Sequence, residues 1–403
     1  MANTKEHTKE QAKAHEKSRP KRLLALDIMR GITIAGMILV NNPGSWSHIY
    51  APLEHAEWHG LTPTDLVFPF FMFIMGVSTY FSLRKYDFRL TGSCLRKIIV
   101  RTLVIFGIGL AIAWFGKFLR AIPEKGVWEA ACNFDHIRML GVMPRLALCY
   151  GFGSLIALAV GRKTLPWVVF ALLAIYSVLL LVGNGLVFSE DNIIARVDLA
   201  VLGENHMYHK TIDDVRLAFD PEGLLSTLPS IAHMLIGFLC GGIIISTKDN
   251  DKRINKLFIV GTILTFAGLL LSYGMPINKS IWSPTFVLTT CGMASSLLGL
   301  LIWIIDIRGW KRWTPFFRDF GVNPLFMYCL GAVMSIILSC IKVPYHATES
   351  GVISVSGWYY RAVCIPCAGG DPVLGSLFFA ISFVVMIWIP GYFLYKNKIY
   401  IKI

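Results

Sequence analysis

Apolar stretches close to twenty residues long recur from one end of this 403-residue chain to the other. No other feature restricts the fold as strongly. About 20 apolar residues form a helix that spans the hydrocarbon core of a bilayer and satisfies its own backbone polar groups. A transmembrane barrel would show alternation over about ten residues per strand, which these runs lack. The stretches fall at 23–41, 65–83, 98–116, 140–161, 164–182, 222–246, 257–275, 282–305, 321–341 and 373–394. They predict an all-α integral membrane protein, a bundle of about ten transmembrane helices. Both termini are expected on the cytoplasmic side, with long loops forming a cap on the outer face.

Charge sets the expected orientation. A net charge of +13 would by itself admit nucleic acid as a partner. The cations, however, alternate with the spans. With the N-terminus inside, the inner segments collect 26 of the 38 Lys and Arg and the outer segments ten, while residues 42–64 hold none. That is the positive-inside pattern of a multi-pass membrane protein. It makes the lipid bilayer, not nucleic acid, the partner the charge points to. Residues 1–22 read as a disordered basic cytoplasmic tail, too long and polar for the leading part of a signal peptide. Residues 23–403 read as a single transmembrane domain. Most of the nine cysteines lie in or beside spans, and no spacing suggests zinc. Cys364 and Cys367 share an outer loop, where a disulfide remains open.

Three outer segments are long, 42–64, 183–221 and 342–372, and long ordered loops tend to carry function. The second holds Asn192, Asp198, His206, Tyr208 and His209, and is expected to cap the outer face. Thr62-Pro63-Thr64-Asp65 reads as a capping box at the entry to a span. Asp220-Pro221-Glu222 suggests the same arrangement opening the 222–246 span.

Two groups of polar residues could carry chemistry. In the first span, Arg30 falls about 60° from Asp27 on the helical wheel and Asn41 about 40° from it, so all three share one stripe. Ionisable groups at membrane depth cost roughly 2.5–3.5 kcal/mol each, so the stripe must face protein or a watery cavity. A self-neutralising Asp–Arg pair and the lining of a functional cavity are both consistent with this. The second group lies in the outer segment NNPGSWSHIYAPLEHAEWHGLTPTD, with His48, His55 and His59. By composition alone each of these is a solvated loop histidine.

The words LDIMRGITIAGMILVNNPG, EHAEWHGLTPTDLVFPFFMFIMGVS, FDPEGLLSTLPSIAHMLIGFLCG, INKSIWSPTFVLTT and FGVNPLFMY occur in order. In these words the chain closely resembles the heparan-α-glucosaminide N-acetyltransferase family of transmembrane acetyltransferases, and the likeness covers nearly everything from residue 23 onward. The resemblance implies an enzyme that moves the acetyl group of cytoplasmic acetyl-CoA to the amino group of a glucosamine-type sugar across the membrane. It implies that His55 is the active-site histidine and that Asn41 is the asparagine closing the first helix. Asp27, Arg30 and Asp65 fall in further family words, and Arg145 matches an arginine of a fourth-span word in which Pro144 replaces the family's glutamine. A homodimer is implied as well, and no metal. The short charged tail favours a bacterial inner membrane.

Acetyl transfer to an amine needs a base for the amine and a donor for the oxyanion. An imidazole suits the first need, or can itself accept the acetyl group. The Asn41 amide suits the second. His55 and Asn41 both belong at the outer end of the first two spans. Acetyl-CoA, made inside, would thread a slot between helices, with the polar stripe and Arg145 as candidate lining. The main alternative is a transporter or permease for sugars or peptidoglycan fragments, against which stands the lack of paired interrupted helices in the two halves.

Overall fold

The computed structural model describes residues 23–346 and 351–401; the tail 1–22 lies outside them. The described residues form an α-helical membrane bundle with two small β-hairpins. Ten long helices alternate in direction. They are α1 (Leu24–Val40), α2 (Val67–Leu83), α3 (Gly92–Cys132), α4 (Val142–Ala159) and α5 (Leu165–Val182). After a short helix α6 (Ile193–Leu202) and a hairpin, β1 (His209–Ile212) and β2 (Val215–Ala218), come α7 (Thr227–Ser246), α8 (Asn250–Leu271) and α9 (Pro284–Leu301). The short α10 (Thr314–Val322) precedes α11 (Pro324–Cys340), and a hairpin, β3 (Lys342–Pro344) with β4 (Val352–Ser354), follows. The chain then passes through α12 (Val355–Tyr359) to the last long helix, α13 (Pro372–Lys396). Eight of these helical stretches have the length and apolarity to cross a bilayer, and the pair α10–α11 would make a ninth. The 17 residues of α1 stand at the short end of the spanning range. The face carrying residues 42–62 and 183–226 is called here the loop face, and its opposite the basic face.

Three expectations change. The third span is not confined to 98–116. Its helix runs for 41 residues and breaks at Gly126, whose φ of 76° lies in the left-handed region. Beyond the break the chain turns back on the helix, so that Trp114 donates its indole N–H to the Ala131 carbonyl (3.1 Å) and Lys117 reaches Asn133 Oδ1 (3.1 Å). The ninth span is bent by 88° at Asn323, the residue before Pro324, where an α conformation is disfavoured. Asp220 does not cap the seventh helix, which begins only at Thr227. Its carboxylate is held instead by Arg138, at 2.9 and 2.5 Å.

Close backbone approach fixes the bundle where it matters for the site. Side chains on Gly31 of α1 and Gly321 of α10 would each run into the other helix's backbone, at Phe317 O and Asp27 O. Gly76 of α2 and Gly237 of α7 repeat the arrangement, facing Met234 O and Phe73 O. Within lipid, helix association relies on such packing, because the tails are as apolar as leucine. α1 and α2 are therefore clamped from both sides, and the turn between them is carried on rigid supports.

The segment 183–226 does form a lid over the loop face. Asn192 Oδ1 accepts the Ile194 N–H (2.9 Å) and starts α6, and Asp198 of that helix accepts the Leu224 N–H (2.7 Å). The ring of Trp58 sits among the lid's aromatics, 5.2 Å from Phe188 and 5.3 Å from Phe219, and its indole donates to Leu186 O (2.8 Å).

Candidate active site

Asp65 organises the turn into α2. Thr62 starts a short 3-10 turn, Pro63–Leu66, with its hydroxyl accepting the Asp65 N–H (3.4 Å). The Asp65 carboxylate reaches back in return. Its Oδ2 accepts the N–H groups of Thr62 and Ala56, each at 3.1 Å. The capping box inferred from the sequence is thus present, and it uses one carboxylate oxygen only. Oδ1 is left for His55, whose Nδ1 lies 2.7 Å away. Asp65 is 1% exposed and the His55 side chain 42%. A carboxylate already accepting two backbone N–H groups is an acceptor only, so His55 Nδ1 carries a proton toward it. An imidazole oriented through one ring nitrogen by a carboxylate is an arrangement suited to general-base catalysis.

A third group joins them from a distant part of the sequence. Lys279 Nζ lies 3.3 Å from Asp65 Oδ1, 3.0 Å from His55 Nδ1 and 3.4 Å from His55 Nε2. Burial pulls this lysine below the usual range, and the nearby carboxylates of Asp65 and Glu222 oppose that. Its loop, between α8 and α9, is a fixed structure. Asn278 Oδ1 accepts the Ile281 N–H (3.1 Å), the Asn278 N–H bonds Ser283 Oγ (3.0 Å), and Gly60 N–H donates to Ile277 O (2.8 Å). A second lysine, Lys210 of β1, reaches Ser280 Oγ (2.5 Å) and lies 5.3 Å from the centre of the Trp58 ring. Burial, and then the charge of Lys279, bring Lys210 down to about 8.

The other residues singled out from the sequence occupy different places. Asn41 ends α1 at the loop face, exposed, and the structure shows no hydrogen bond between it and His55. His48 is exposed beside Ser45, and His59 faces Asn278 at 3.4 Å. Arg145, in the first turn of α4, is fully buried. It donates to Gly223 O (3.1 Å) and to the Ser226 hydroxyl, and its guanidinium lies 5.2 Å from the centre of the Trp282 ring. No carboxylate bonds it among the described residues, and its Nε and Nη1 find no hydrogen-bond partner there. Arg145 therefore sits under the lid, at the loop face, and not at the basic mouth.

Asp27 and Arg30 form an ion pair (3.2 Å). Arg30 also donates to Gly321 O (3.2 Å) and Ser78 Oγ (2.8 Å), joining α1 to α10 and α2. Arg30 and Ser78 line a cavity of about 250 Å³ with Arg101, Leu146 and Phe326. The same cavity touches Phe71 in the first turns of α2, six residues after Asp65 and so roughly 10 Å from it along the axis of the 3-10 turn and helix. Cys364 and Cys367 are free thiols.

Lys279 and Lys210 received no role from the sequence. The only hint was that Lys279 belongs to the word INKSIWSPT; nothing there says that it meets His55, 224 positions away.

The family model for heparan-alpha-glucosaminide N-acetyltransferase, catalytic, matches residues 22–277. Two curated relatives carry the name heparan-alpha-glucosaminide N-acetyltransferase. The human protein is 28% identical over 368 residues, covering 77% of this chain and 52% of its own length. The mouse protein is 27% identical over 368 residues, covering 77% and 53%. The chain thus spans about half the length of the curated relatives it matches.

Proposed function

The chain belongs to the heparan-α-glucosaminide N-acetyltransferase family, and from that premise we propose that it is a transmembrane N-acetyltransferase that transfers the acetyl group of acetyl-CoA to the amine of a glucosamine-type sugar. The observation that carries this reading is the His55–Asp65 pair, an imidazole with one nitrogen fixed by a buried carboxylate and the other, Nε2, beside the amine of Lys279.

In this mechanism Asp65 holds His55 in the tautomer with Nδ1–H, and stabilises the imidazolium once Nε2 has taken a proton from the acceptor amine. The amine attacks the thioester carbonyl, and the oxyanion that forms takes a hydrogen bond from the Asn41 amide. Such a donor typically contributes about 3–4 kcal/mol. The imidazolium then returns the proton to the leaving CoA thiolate. Direct transfer is preferred over an acetyl-histidine relay, because Nε2 suffices as a base. The lid segment 183–226, pinned by Trp58 and Lys210, would exclude water and contact the sugar.

Acetyl-CoA is read as entering from the basic face, the cytoplasmic side by charge. The cavity beside Arg30 and Arg101 is the proposed seat for the lower part of the coenzyme, with its thioester extended along α2 toward His55. Arginine suits phosphate recognition there. The periplasmic face of a bacterial inner membrane is the proposed place of acceptance. The permease alternative gains nothing from the one broken helix pair, α10–α11, which has no matching partner among the described residues.

The test is transfer of radiolabelled acetyl from acetyl-CoA to a panel of amino sugars by detergent-purified protein. His55→Ala should lower kcat by about 10³-fold, within the usual range for a general base, and Asn41→Ala by about 10². A His55→Ala enzyme working at the native rate would remove the mechanism.

A further inference from the structure

Lys279 stands where the mechanism needs the acceptor amine. Its Nζ lies 3.4 Å from His55 Nε2, the atom that would take the acceptor's proton, and 3.0 Å from Nδ1. Among the described residues no second lysine is placed this way. Lys210 is tied to Ser280 and the Trp58 ring, and has no contact with His55 among the described residues. We propose, resting on the acetyltransferase reading, that Lys279 is an internal acceptor, so that without a sugar amine the enzyme acetylates its own Nζ.

The step balances without any further reactant. The neutral Nζ attacks the thioester carbonyl of acetyl-CoA. An N–C bond forms, the C–S bond breaks, and CoA leaves as its thiolate. The proton lost by the nitrogen goes to His55 Nε2 and from there to the thiolate. The product is a secondary amide, which does not hydrolyse readily, so it would persist where an acetyl-imidazole would not.

Three features favour the reaction. The amine is within hydrogen-bond reach of the base, so the entropic cost of bringing the two together is already met. Burial enlarges the neutral fraction of Lys279, although the Asp65 carboxylate holds part of it protonated. The fixed turn from Asn278 to Ser283 keeps the backbone beneath the amine in place. Acetylation would replace the ammonium facing Asp65 with a neutral amide and fill the space over His55. The modification would therefore inactivate the enzyme, and a bound sugar amine would protect it.

The experiment uses full-length protein in detergent, labelled acetyl-CoA and no sugar, followed by peptide mapping by mass spectrometry. The expected result is a hydroxylamine-stable acetyl group on Lys279, at least ten times the occupancy of Lys210. Added glucosamine should slow labelling, and His55→Ala and Lys279→Arg should each abolish it. A protein that acetylates glucosamine but leaves Lys279 unmodified overturns the proposal and leaves the enzymatic reading intact. Equal labelling of Lys210, or labelling that persists in His55→Ala, also overturns it, since the amine then reacts without the site. Label that hydroxylamine removes would point to the imidazole instead. Absence of both turnover and label would overturn the proposal together with the reading it rests on.

Discussion

Two acid–base pairs, one near each face, show how the same elements serve different ends. Asp27 and Arg30 are three residues apart on one helix, and the pair forms as soon as α1 forms. Asp65 and His55 are ten residues apart across a loop, and meet only because Asp65 turns back on the segment before it. In the first pair the base also donates to its scaffold, Gly321 O and Ser78 Oγ. In the second the acid's far oxygen takes the scaffold bonds, and the base turns Nε2 to the amine of Lys279 rather than to the scaffold. The difference lies in which partner is tied down. A pair whose base is consumed by structure holds helices together, and a pair whose acid is consumed by structure leaves its base available for chemistry.

Substitution of the two acids puts this contrast under the greatest strain. Asp65→Asn should lower kcat by about 10²–10⁴, since the amide no longer fixes the productive tautomer. Asp27→Asn should leave kcat within about threefold and lower thermal stability, by up to about 3 kcal/mol for a pair broken from one side. Steady-state kinetics beside thermal unfolding in detergent distinguishes the two. Loss of kcat in Asp27→Asn, with the fold intact, would make both pairs catalytic and end the contrast.

A smaller effect sharpens the role of the basic half. Arg101→Met, on the wall of the cavity beside the pair, should raise KM for acetyl-CoA about tenfold, one phosphate contact's worth, with kcat little changed. An unchanged KM for acetyl-CoA would leave that cavity without a role in binding the coenzyme.

The smallest effect concerns the lid. Asp198 is wholly buried, with Oδ1 bonded to Leu224 and Oδ2 without a hydrogen bond among the described residues, and burial pushes its carboxyl up to about 7. Unfolded, the group titrates near 3.8. Between those values the folded protein binds more protons, so its stability should fall as pH rises from about 4 to about 7 and change little above. The melting temperature of native protein measured at pH 5 and pH 8 should show this slope, and Asp198→Asn should flatten it. An equal slope in the variant would assign the pH dependence to another group.

Much of this was legible in the chain itself. The apolar runs located each long helix, because a backbone in lipid has no alternative to bonding within its own segment. Thr62-Pro63-Thr64-Asp65 announced its capping box, since such a turn involves only neighbours. Where a pattern depended on distant partners, reading failed. Asp220 has the residue type and position of a cap, yet Arg138, 82 positions away, claims its carboxylate. The reversal after Gly126 lies past the apolar run 98–116, and the bend at Asn323 near the start of the run 321–341, where neither interrupts the apolar pattern.

Sequence alone determined that the chain crosses a membrane many times, which family it resembles, and that His55 lies in the segment joining the first pair of spans. These follow from local composition and from short runs whose physics is complete within about twenty residues. Only the tertiary structure decided that Asp65 fixes His55 and that Lys279 arrives beside them. It also decided that Arg145 lies beneath the lid. Those contacts join residues 10, 224 and 78 positions apart. Their energies depend on where packed helices and a folded loop place each charge, which no single segment encodes.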